Sequence, residues 1–328
     1  MDHKPPSIRN IAREAGVSVS AVSHAFNRPA ELSPDVRDRI LRLAHERGYR
    51  PDPRARSLRR DESRLVALII TDLSNGFHAA LAAAVQQAVA SQGYYLVVLT
   101  GGTVDDERRS LEAVYHERMV GAIVSAYNLL PAELGKHAKG RPVVFIADSD
   151  DTFAGPLVRV DNFAAAYTAT AYLAARQRCR IAHITGPLTV VPGSQRRAGY
   201  RRAIEELEVG PLLEAAGDFT FASGRRAMEE LLALSEPPDA VFAGNDAMAL
   251  GALRALQAHG IAVPDDVAVI GFDNIDEAAW SNPELTTMDQ SVARLGATAA
   301  RLLLARLHDP SYTEIVEVNC TLIPRRSV

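Results

Sequence analysis

The chain has 328 residues, 47% of them hydrophobic and 23% charged, with a formal net charge of −4. That composition suits a soluble globular protein of two or three domains, and no apolar run approaches the ~18 residues a membrane span needs. The charge is unevenly spread: residues 1–60 carry 13 Lys+Arg against 7 Asp+Glu, net +6, which leaves −10 for the remainder, so a polyanionic partner would suit the head alone.

Residues 7–50 read as three short helices. Ser7 caps the first, which places Ile8, Ile11, Ala12 and Ala15 on one face. Gly16-Val17 makes a tight turn, and Ser18 caps a second helix with Val22, Ala25 and Phe26 inward. Ser33-Pro34-Asp35 supplies a cap, a proline at the first helical position and an acidic first turn. The third helix then buries Val36, Ile40, Leu43 and Ala44 and ends near Gly48. In residues 51–62, Asp52 and Pro53 can start a helix through Arg54–Arg60, but with almost no apolar face it is too short to stand alone in water. It reads as a conditional helix within a linker.

From Leu65 the pattern changes. Apolar runs at Leu65–Ile70, Tyr94–Leu99, Val120–Val124 and Val143–Ala147 lack polar alternation, as buried parallel strands do. Alanine-rich helical stretches separate them. A second series follows at Ile181–Thr185, Ala240–Ala243 and Val267–Phe272. Two βα series joined near Val160–Phe163 predict two doubly wound α/β lobes of parallel sheet facing each other across a cleft. The Met288-Asp289-Gln290 segment, a helix over 291–307 and a strand at Ile315–Val318 are expected to cross back. The domains predicted are a head at 1–50, a hinge at 51–62 and a body at 63–328. Within the body, one lobe takes 63–161 and 290–319, the other 162–289 and 320–328.

The run Ser7 to Asn27 has the parts of a helix-turn-helix. Ala12 is small where two helices cross, Gly16 makes the turn, and Val17 and Val22 lock the crossing angle. The outer face of the second helix then offers Val19, Ser20 and His24 to a major groove. The competing reading is a purely structural helical hairpin, against which basic charge and spacing coincide.

This stretch resembles the lactose-repressor/galactose-repressor family of bacterial transcriptional regulators, and its Val22-Ser23-His24-Ala25-Phe26-Asn27 is similar to the purine-repressor branch. The resemblance continues through Gly48-Tyr49-Arg50-Pro51 and Ala55-Arg56-Ser57-Leu58. It then runs through Gly186-Pro187-Leu188, Gly244-Asn245-Asp246-Ala247-Met248-Ala249-Leu250-Gly251, Gly271-Phe272-Asp273-Asn274 and Leu285-Thr286-Thr287. It implies base reading by Val19, Ser20 and His24: His24 to guanine N7 or O6, Ser20 to either base type, Val19 to a thymine methyl. Ser18, Ser23 and Asn27 would hold phosphates and caps. Leu58 would wedge into the minor groove, with Arg56, Arg59 and Arg60 on phosphates. A solubilising linker is the alternative for these arginines. Leu58 is the one large apolar residue of its segment, which agrees with the wedge.

The body resembles periplasmic sugar-binding proteins, so its ligand contacts should come from strand ends facing the cleft. The resemblance makes Phe77, His78, Asp148, Arg196, Phe219, Asn245 and Asp273 the candidates. Arg196 is the charged anchor, Asp273 accepts from hydroxyls, and Phe77 and Phe219 stack on a ring face. For Arg196 and Asp273 the rival reading is an ion pair across the lobes, and for His78 a solvent-exposed residue in the first turn. Ala147 stands where many sugar-sensing relatives have aspartate, and Val190 and Pro192 where the purine branch has polar contacts. These departures count against a purine and leave a sugar, polyol or sugar acid as the expected effector.

Other classes fare poorly. No Gly-x-Gly-x-x-Gly follows the first strand, and no Gly-x-Ser-x-Gly, His-Glu-x-x-His or phosphate-binding glycine loop occurs. An enzyme on this body is therefore disfavoured, and no cofactor is expected. The acids Asp148, Asp150 and Asp151 read as a solvated loop, with no metal. Two cysteines, Cys179 and Cys320, are too few for a disulfide framework. A transport solute-binding protein is disfavoured by the head and by a polar N-terminus unlike a secretory signal; a cytoplasmic protein, off the membrane, is expected. A palindromic DNA operator requires two recognition helices, so a homodimer is expected, paired through helices near 77–91 and 105–117. The larger relatives add a tetramerising leucine heptad after the body, whereas this sequence stops at Pro324-Arg325-Arg326-Ser327-Val328, so a dimer is the expected state.

Overall fold

The computed structural model describes residues 6–27, 29–49, 63–126, 129, 133, 136–146 and 155–328. The chain divides into a head, Met1–Ser63, and a body, Arg64–Val328.

The head holds α1 (Ile8–Glu14), α2 (Val19–Asn27) and α3 (Pro34–Glu46). The Ser7 hydroxyl accepts the Asn10 N–H at 3.3 Å and the Ser18 hydroxyl that of Ala21 at 3.1 Å, so both serines cap as expected. Ser33 is at the N-cap of α3 but its side chain makes no capping bond. Gly16 sits at φ +66°, where a side chain would strain the backbone, and this turn lets the Val17 N–H reach Ala12 O at 3.0 Å. Ile11, Val22 and Ile40 form a fully buried centre around which Ala12, Ala15 and Ala25 allow close helix approach. Val36, Leu43 and Phe26 pack at its edge, half-buried. Arg47 donates to Glu14 at 2.9 Å and ties the end of α3 to α1.

The body runs β1 (Leu65–Ile70), α4 (Gly76–Ala90), β2 (Tyr95–Thr100), α5 (Val104–His116), β3 (Gly121–Ser125), β4 (Val143–Ile146) and β5 (Leu157–Val160). It continues α6 (Asn162–Ala174), β6 (Ile181–Thr185), α7 (Val191–Leu207), β7 (Leu213–Ala216), α8 (Phe221–Leu232), β8 (Ala240–Ala243) and α9 (Asp246–Ala258). Then come β9 (Ala268–Asp273), α10 (Asp276–Trp280), β10 (Thr286–Asp289), α11 (Val292–His308), β11 (Ile315–Val318) and β12 (Thr321–Ile323).

These strands make two six-stranded sheets, β11-β5-β4-β3-β1-β2 and β12-β10-β9-β8-β6-β7. Pairing is parallel throughout except between β10 and β12. Central strands such as β1, β3 and β8 are buried along almost their whole length because helices cover both faces, which is why they carry no polar alternation. After β10 the chain returns to the first sheet through α11 and β11, then re-enters the second as β12. Gly296 of α11 packs where a Cβ would lie 2.6 Å from Ala84 Cβ, so α11 and α4 cross at close range.

Three strands were not legible. β5 lies where only a joint between lobes was expected, and β12 has three residues. The edge strand β7 carries Glu214, which takes bonds from Arg197 and Arg201 and so reads as polar surface. Met288 and Asp289 complete β10 in the second sheet, and the crossing starts after them.

Candidate nucleic-acid interface and ligand cleft

On α2, Val19 and Ser20 are exposed and His24 is half-buried, on the side away from Val22 and Ala25. His24 Nδ1 lies 3.2 Å from Glu31 Oε2, a partner the sequence reading had not assigned. Ser18 spends its oxygen on the helix cap, and Ser23 is half-buried. The side chain of Asn27, with Arg56 and Leu58, lies outside the described residues.

In the body, the parallel strands deliver their carboxyl ends to a cavity of about 480 Å³. Thr71 and Asp72 follow β1, Pro187 follows β6, Phe219 follows β7, Asn245 follows β8, Asp273 ends β9 and Gln290 follows β10. Arg196 reaches it from α7 and Phe77 and His78 from the first turn of α4. Six of the seven sequence candidates therefore meet in one cavity, and Asp148 lies outside the described residues.

Arg196 is 5% exposed and closely held. Its Nε donates to Asn162 Oδ1 at 2.8 Å and its Nη1 to Gly244 O at 2.5 Å. The guanidinium lies over the Phe272 ring, 3.6 Å from the centroid, and stands 3.9 Å from Asp273 Oδ1. Both ion-pair partners belong to elements of the second sheet's lobe, so the pair does not cross the lobes as the rival reading had it. Burial pushes the Asp273 carboxyl up to about 7; Arg196 pulls it down and neighbouring Asp246 pushes it further up. Gln290 Nε2 donates to Asp273 Oδ1 at 2.5 Å. Asp273 has φ +122°, an unfavourable conformation for a residue with a side chain.

Asn245 is less available than expected. Its Oδ1 accepts the Met248 N–H at 3.0 Å as the cap of α9, and its Nδ2 donates to Phe219 O at 3.1 Å. It thus holds the Phe219 loop, where Phe219 itself sits at φ +69°. The Phe219 ring lies on Gly186, where any Cβ would come within 2.2 Å of it. Phe77 is mostly core, 7% exposed. His78 is 4% exposed with Nδ1 at 3.0 Å from Asp72 O, so the reading of it as a solvent-exposed residue is wrong: the first turn of α4 faces the cleft. Burial lowers its pKa, favouring neutral imidazole.

Sequence reasoning missed Asn162, Phe272, Gln290 and Asp246. Asp246 is fully buried, accepting from Thr287 Oγ1 at 2.6 Å and from the Ile275 N–H at 2.9 Å. The available signal was position: Gln290 directly follows a strand, and Asn162 lies where the chain first passes between sheets.

The profile for bacterial regulatory proteins of the lacI family matches residues 7–52, and that for a periplasmic binding protein-like domain matches 170–328. The HTH-type transcriptional repressor CytR of Escherichia coli K12 is 33% identical over 330 residues, covering 98% of this chain and 96% of that protein. The ribose operon repressor of the same organism is 34% identical over 321 residues, 93% of this chain and 94% of that one. The crystal structure of the lac repressor dimer bound to operator and the anti-inducer ONPF matches with a TM-score of 0.89, at 25% identity and 99% coverage of both chains. The protein therefore belongs to the lacI family of bacterial transcriptional regulators, a DNA-binding, non-enzymatic family, and has the lac repressor fold.

Proposed function

We propose that this regulator binds a palindromic DNA operator as a homodimer in the cytoplasm, reads bases with α2, and is switched by a small metabolite, a sugar or relative of one, held between the lobes. The observation that carries this is the buried Arg196–Asp273 couple at the carboxyl ends of the strands, in a chain whose α2 keeps Val19 and Ser20 exposed. Base contacts are assigned to Val19, Ser20 and His24, with Ser18, Ser23, Asn27 and Arg56 on the backbone and Leu58 as minor-groove wedge. Effector contacts are assigned to Phe77, His78, Asp148, Arg196, Phe219 and Asp273, with Asn245 as their support. Dimer contacts are assigned to α4 and α5. Repression is the regulatory sign the relatives' names favour.

Two measurements test this reading. A selection from random palindromic duplexes should yield a preferred sequence whose affinity falls steeply with salt; Leu58→Ala should weaken it while dimer mass and effector binding stay unchanged. A thermal-shift screen of sugars and polyols should raise the melting temperature by mass action, and Arg196→Ala should abolish the rise. No salt-sensitive preference for any palindrome would end the reading of the head, and a hit surviving Arg196→Ala would move the pocket elsewhere.

A further inference from the structure

Resting on the reading of the cleft as the effector site, we propose that it selects by charge: it takes an uncharged polyhydroxylated ring and refuses the same ring carrying a phosphate or carboxylate. Among the described residues lining the cavity, Arg196 is the one Lys or Arg, against three carboxyls, Asp72, Asp218 and Asp273.

Arg196 does not make up for this. Its bonds to Asn162 and Gly244 take Nε and Nη1, and it stacks on Phe272 and pairs with Asp273, so its charge is already shared with a carboxylate while its remaining N–H groups can donate to effector hydroxyls. An incoming anion would have to compete with Asp273 for that charge. Helix N-termini can hold phosphates, and α4, α7, α8 and α9 all start at the cavity. Three have their own cap in place: Asn75 accepts from the Phe77 N–H at 3.0 Å, Thr220 from Ser223 at 3.2 Å, Asn245 from Met248 at 3.0 Å. The fourth, α7, has no side-chain cap at Val190, and Pro192 in its first turn has no N–H to offer.

The acids at the rim are ionised. Hydrogen bonds from Ser74 hold Asp72 below the usual carboxylate range. Partial burial works against ionisation of Asp218, but bonds with Thr220 and Ser223 outweigh it and keep it low as well. A hydroxyl can donate to such carboxylates; a phosphate dianion or an aldonate carboxylate cannot, and meets like charge instead. The apolar share of the lining, Phe219, Val190 and Pro192, suits the faces of a ring. This narrows the sequence-based expectation, which had admitted sugar acids.

The test is calorimetric titration of the full chain with the free aldopentoses and aldohexoses, each beside its terminal phosphate and its aldonate. At least one free sugar should bind, with its charged forms at least about 100-fold weaker. The double substitution Asp72→Asn and Asp218→Asn keeps acceptors for Ser74 and Thr220 and should narrow the gap by about tenfold or more. Asp218→Asn alone should narrow it partly, which covers a failure of the double variant to fold. A phosphate or aldonate binding as tightly as its parent sugar overturns charge selection while leaving the cleft as effector site. An unchanged gap in the Asn variants also overturns it. If no member binds, or binding survives Arg196→Ala, the underlying reading of the cleft as a sugar site falls, and this inference with it.

Discussion

Asp273 shows how far a single side chain is set by its surroundings. It is 4% exposed, and burial pushes its carboxyl up to about 7 despite Arg196 at 3.9 Å. If an effector hydroxyl donates to this group, binding favours the carboxylate and expels a proton wherever the free site is protonated. Effector affinity should therefore rise with pH, by about tenfold between pH 6 and pH 7.5, and level off above. Titrations in two buffers of different ionisation heat would detect the released proton; Asp273→Asn should bind more weakly, with a flat profile. His183 behaves oppositely. It is fully buried, stacked on Phe242 at 4.7 Å between ring centroids, with Nδ1 2.8 Å from Phe242 O. Burial lowers its pKa to about 4 from an unfolded value near 6.5. Its folded form resists protonation, so stability present above pH 6.5 is lost as pH falls toward 4. The melting temperature should drop through that window, and His183→Phe should remove much of the slope.

At the scale of the element, the local signals that were legible are those with a covalent or steric origin. Ser7, Ser18 and Gly16 fixed the ends of α1 and α2 because caps and positive-φ turns depend on residue type more than on context. A Cβ at Gly16 meets nothing within 4 Å, so Gly16→Ala should cost only the backbone strain, about 1 kcal/mol. Hydrogen exchange should show faster opening of α2 amides and weaker operator binding, with effector binding by the body unchanged. Uninterrupted apolar runs gave the central strands to within a residue or so. The edge strands of the second sheet were not legible: β7 and β12 are short and half-exposed, so their pattern resembles loop. In the cleft, the candidates came from motif resemblance, and six of seven lie together. Their supporting residues were hidden because support depends on contacts between distant segments, such as Arg196 with Asn162 or Arg325 with Asn274 at 2.6 Å. Chain spacing gives no access to those. His24 is the instructive case at the other end, since its type suggested a base contact while its Glu31 partner depends on how the chain returns after α2.

The whole molecule has to join a head and a body that are separate compact units, and thermodynamics constrains that coupling whatever path carries it. An effector changes operator affinity only through its different affinities for the operator-bound and free states. The factor is reciprocal: if effector at saturation weakens operator binding 50-fold, operator at saturation must weaken effector binding 50-fold. The same equality holds, with the sign reversed, if the effector recruits the protein to DNA. Measuring the effector dissociation constant with and without a saturating operator duplex, beside the operator constant with and without effector, closes the cycle. The two ratios should agree, with a size of about 5–150-fold typical of such coupling. Arg196→Ala should remove the effect on operator binding while leaving the effector-free operator affinity near its original value, because that residue's contacts are all within the body. If Arg196→Ala instead weakened effector-free operator binding as strongly as effector does, the cleft would be setting the resting conformation of the body, and ligand binding would be only one of several ways to shift it.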